Sequence, residues 1–170
     1  MKEFDVALTD GLLAGETFLF AFLLSKRPAG ALKGSFLNVF IGSGSAAAAG
    51  AVYHGFAEPG TAAGDVLSWV ILLSLGLAAR GFALIGARLS FDATAESAFR
   101  NAVPALGAIY VLGLIVKREF WMALLLYVPA TLLALWGFIK AYRVNGQRRV
   151  LAGIAGLILS LAAAAVQRSG

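Results

Sequence analysis

Cysteine is absent from this chain of 170 residues, so it can build no disulfide, thiolate metal site or cysteine nucleophile. Histidine occurs once, at His54, and no site that needs two imidazoles can come from these residues alone. Charge is scarce too: 14% of residues are charged against 60% hydrophobic, too little polar surface to cover a water-soluble globule. The net charge of +5 comes from bases in short stretches between apolar runs. That placement reports membrane topology and excludes nucleic acid as the expected partner. The opening MKEFD, followed by an apolar run that carries Asp10 and Glu16, makes a poor signal peptide. Lysine is missing from the interiors of the apolar runs, which removes a buried Schiff base and with it a retinal protein.

What the chain does have is apolar length. Gly34 to Ala57 contains no Asp, Glu, Lys or Arg, and at about 1.5 Å per residue it is long enough for a hydrocarbon core of roughly 30 Å. Gly42, Ala46, Gly50 and His54 recur along it at a spacing of four. They form a smooth strip, ending in an imidazole, against which a neighbouring helix can pack closely. Five similar runs complete an expected set of six spans: 6–24, 34–57, 65–87, 98–116, 120–139 and 150–166. The fold class is therefore all-α, a polytopic membrane bundle of six transmembrane helices, with 1–170 forming a single membrane domain.

Lys26, Arg27 and Lys33 follow the first span, and Lys140, Arg143, Arg148 and Arg149 follow the fifth. This bias predicts odd-numbered loops in the cytoplasm and an N-terminus outside, with the bacterial inner membrane as the expected location. Pro104 and Pro129 fall inside spans and predict kinks.

Polar residues within the spans are the candidate functional groups, because an acid near the centre of a membrane helix costs ~2.5–3.5 kcal/mol. Asp5, Thr9 and Glu16 share one face of the first span. Asp10 points elsewhere, toward the interface. His54 ends the second span on the side where Asp65 opens the third, so these two groups, with Glu16 somewhat deeper, are expected to converge. Arg80 reads as a snorkelling structural residue, and Lys117, Arg118 and Glu119 read as a solvated turn.

These residues resemble the CREST superfamily of seven-helix membrane hydrolases, which includes alkaline ceramidases and the progestin and adiponectin receptors. The opening DVALTDGLLAGETFLFAFLL is similar to a bacterial branch of it. The resemblance implies zinc bound by His54 together with two histidines of a seventh helix, a catalytic aspartate at Asp65, and a serine where this chain has Gly50. It also implies a calcium site, for which Asp5 and Glu16 are spaced as two ligands. The seventh helix and its histidines would lie beyond Gly170, and a catalytic zinc normally takes three protein ligands. Zinc is therefore expected only if those ligands exist, and enzyme status stays open.

Two functions follow. One is a zinc-dependent lipid amide hydrolase, ceramidase-like, in which Asp65 orients the attacking water or shuttles its proton. The alternative is a non-catalytic membrane-embedded accessory subunit of a larger complex, or a lipid-binding protein. Membrane lipids and other membrane subunits are the expected partners in either case.

Overall fold

The computed structural model describes residues 4–57, 60–146 and 150–158. Among these residues the chain is all helical. Helices α1 (Phe4–Ser25), α2 (Lys33–Phe56), α3 (Ala62–Ser90), α4 (Ala93–Val116) and α5 (Phe120–Asn145) follow one another through short loops. All five are long and apolar enough to cross a membrane. Residues 150–158 are helical as well and pack back on the bundle through Leu157. The rest of the sixth expected span lies outside the described residues.

Helix ends follow local chemistry. Thr61 caps α3 by accepting from the Gly64 amide at 3.2 Å, and Asp92 caps α4 by accepting from the Ala95 amide at 2.8 Å. Gly146 ends α5 at φ +61°, a left-handed conformation that suits glycine. Both Pro104 and Pro129 are contained within α4 and α5 without ending them. Each lacks an amide donor, which leaves the Arg100 and Leu125 carbonyls without their α-helical partners.

Helix α3 is the centre of the bundle, and missing side chains explain why. A Cβ added at Gly42 of α2 would stand 2.6 Å from the Ala78 nitrogen and the Ser74 oxygen of α3. One at Gly86 of α3 would stand 2.5 Å from the Leu133 carbonyl carbon of α5. Backbones therefore touch on two sides of α3, the mode of packing that membranes favour. Val39, Phe82, Ile85, Ala130 and Ala134 fill the core where α2, α3 and α5 meet.

Helix α1 lies on α2 through a stripe of Ala14, Thr17 and Ala21. In contrast, α4 buries only Val103, Tyr110 and Leu114. It hangs on α3 through Tyr110, whose hydroxyl donates to the Leu72 carbonyl at 2.7 Å and whose ring covers Gly76. The Arg88–Glu96 ion pair, 2.5 Å, closes the turn between the two helices.

Candidate functional site

Two of the places that hold polar groups within the apolar helices are candidate sites. The first is the end of the bundle where α1 begins, α2 ends and α3 begins. His54 stands in the last turn of α2, half-buried, with its ring edge-on to Tyr53 at 5.6 Å. The acid that faces it comes from α1 and is Asp10. A Cβ at Gly50 would lie 2.7 Å from the Asp10 Oδ2, and the Asp10 carboxylate interacts electrostatically with His54.

Gly50 thus has a physical role: its missing side chain makes room for a carboxylate one turn from the imidazole. The expectation that Asp10 points away gives way to this arrangement. The reason is visible in the sequence, since Ala7, Asp10, Ala14, Thr17 and Ala21 alternate spacings of three and four and make up the inward stripe of α1.

The other expected site residues are placed differently. Asp65, in the first turn of α3, has its Oδ1 2.5 Å from Nη2 of Arg118 in the α4–α5 loop. Lys117, Arg118 and Glu119 are exposed, as a solvated turn should be, and from it Arg118 also ties the start of α3 to the α4–α5 hairpin. Asp5 and Glu16 both lie on the exposed side of α1, away from α2. Glu16 makes no ion pair or side-chain hydrogen bond among the described residues.

No group of three or more His, Asp or Glu that could hold a metal is found among the described residues. The zinc implied by the resemblance does not fit the described donors, because they offer one imidazole and Asp65 is engaged by Arg118. The calcium site finds only Asp5 and Glu16, two acids on an exposed face, where such a cation takes six to eight oxygens.

The second place was not marked by the sequence. Beside Tyr110, where α4 leans on α3, a groove of about 300 Å³ opens between α3, α4 and α5. Leu73, Leu77, Gly107, Val111 and Leu126 line it, and Arg80 adds the only charge to its wall among the described residues. Gly107 faces open space, with no atom within 4 Å of an added Cβ. Arg80 is exposed and makes no ion pair or side-chain hydrogen bond among the described residues. The signal that could have found the groove is modest: Gly76 and Gly107 thin the facing surfaces of two helices beside an arginine and a proline.

Neither the curated proteins nor the solved structures include a match to this chain. One family does match, from residue 6 to residue 170. The chain belongs to that family, described as a family of unknown function (DUF6962).

Proposed function

We propose that this chain is a non-catalytic, membrane-embedded lipid-binding protein that seats one acyl chain in the groove between α3 and α4. The observation that carries this reading is the groove itself: about 300 Å³, lined almost wholly by apolar side chains, beside an α3 that packs backbone to backbone on α2 and α5. Ligand sites are concave, apolar and few, and this groove has those features. The loop bases then put the Arg88 end in the cytoplasm and the N-terminus outside, with the bacterial inner membrane as the proposed location.

The test is native mass spectrometry of the protein released from mild detergent. Wild type is expected to carry a bound lipid. Gly107→Phe, which places a ring in open space inside the groove, is expected to lose it at unchanged thermal stability. Equal lipid in both proteins would defeat the reading.

Glu16 favours a second reading, the accessory subunit. A carboxylate exposed on the lipid side of α1, at a depth where acids cost ~2.5–3.5 kcal/mol, gains most from a hydrogen-bonding helix of another protein. Detergent extracts should then contain a complex larger than the chain, and Glu16→Leu should shrink it. The hydrolase reading draws its support from the opening stretch, His54 and Asp65, and requires zinc ligands from outside the described residues.

A further inference from the structure

Arg80 lies inside α3, away from the charged ends of the helix. It is eight residues along α3 from Arg88, whose ion pair with Glu96 marks one end of the bundle, a distance of about 12 Å at helical rise. It is about 22 Å from Asp65 at the other end by the same rise. Its side chain is exposed, forms no pair among the described residues and lines the groove toward its Arg88 end. The other polar side chain on the wall, Tyr110, already donates its hydroxyl to the Leu72 carbonyl at 2.7 Å. The guanidinium is thus the group on that wall with donors to offer.

We propose that the groove takes a long-chain carboxylate, such as a free fatty acid, with its acid group clasped by Arg80 and its chain running past Leu77, Leu73 and Val111. This proposal rests on the lipid-binding reading above and specifies the ligand. The planar guanidinium fork grips carboxylate and phosphate alike, so two other features select a carboxylate over a phospholipid. A volume of about 300 Å³ suits one slender chain. The second feature is depth. A carboxylate at the end of its own chain can sink about 12 Å below the level of Arg88, whereas a phosphodiester would carry glycerol and a second headgroup into hydrocarbon, where this wall has no spare polar group for them.

The experiment uses the full chain in mild detergent, cleared of lipid by exchange and titrated with palmitate at mildly alkaline pH, with affinity and stoichiometry as readouts. Wild type should bind one palmitate per chain. Arg80→Gln should bind it about tenfold or more weakly, the loss of a charge-assisted pair, and Arg80→Lys should fall between. Palmitate methyl ester should bind wild type and Arg80→Gln alike.

If Arg80→Gln binds palmitate as wild type does while Gly107→Phe does not, the groove holds a chain and the carboxylate assignment is overturned. If Gly107→Phe binds palmitate as tightly as wild type, the lipid-binding reading fails along with it. A wild-type preference for phosphatidylglycerol over palmitate that disappears in Arg80→Gln would also overturn the carboxylate. Arg80 is exposed and Gly107 borders open space, so both variants are expected to fold, with matching thermal midpoints as the control.

Discussion

The two sides of α3 solve the same packing problem in opposite ways. Toward α2 and α5, glycines at Gly42, Gly81 and Gly86 bring backbones into contact and leave no room for a methyl group. Toward α4, the Arg88–Glu96 pair joins the helices at their turn and Tyr110 crosses the gap farther along by a hydrogen bond, and beside Tyr110 a groove stays open. In lipid, where apolar side chains gain little by leaving the solvent, close packing holds helices together. The side that lacks it is where a lipid chain can compete with a protein helix. The contrast separates a rigid three-helix core of α2, α3 and α5 from a loosely held α4 that frames the groove.

The largest effect expected on the tight side is that of Gly86→Val. Its Cβ would meet Leu133 and Ala134 of α5 at 2.5–2.7 Å, mostly backbone atoms that cannot swing aside. Overpacking costs about 1–3 kcal/mol, occasionally more, and rigid backbone on the far side puts this substitution at the upper end, read as a large fall in the thermal midpoint in detergent. A neutral result would mean that the backbones do not touch there. On the loose side, Tyr110→Phe leaves a buried ring in place and removes one donor, at a cost of about 1–3 kcal/mol. It should also free α4, so that hydrogen exchange at Leu106 to Leu114 speeds up while α5 amides keep their protection. Uniform exchange across both helices would erase the distinction between the two sides.

The smallest effect belongs to Asp65→Asn. The Asp65–Arg118 pair is tight at 2.5 Å, but the two side chains are 51% and 36% exposed, and such surface pairs contribute about 0–1 kcal/mol. A loss of several kcal/mol on this substitution would show that Asp65 does more than join two helix ends.

The helices were legible in the sequence because runs such as Gly34–Ala57 are long, apolar and free of charge, and because bases such as Lys26, Arg27 and Lys33 fall between them. The partners of the polar groups were less so. Asp10 announced itself through its register with Ala7, Ala14 and Thr17, yet depth along the helix suggested an interfacial role, and register is what decided its direction. Arg118 reaches Asp65 across 53 positions of chain, a pairing that only the antiparallel arrangement of α3 and α4 creates. Pro104 marked α4 as unusual, but the groove depends on the distance between two helices, and no spacing within one helix encodes that.

A palmitate analogue with a photoactivatable group on its chain, crosslinked to the protein in vesicles and mapped by peptide mass spectrometry, tests the groove most directly. Labelling concentrated on Leu77, Gly107 and Val111 is the predicted result. Labels spread as densely over the lipid-facing α1 residues Leu12 and Leu19 would contradict it, because the chain would then see α3 and α4 as ordinary bilayer surface.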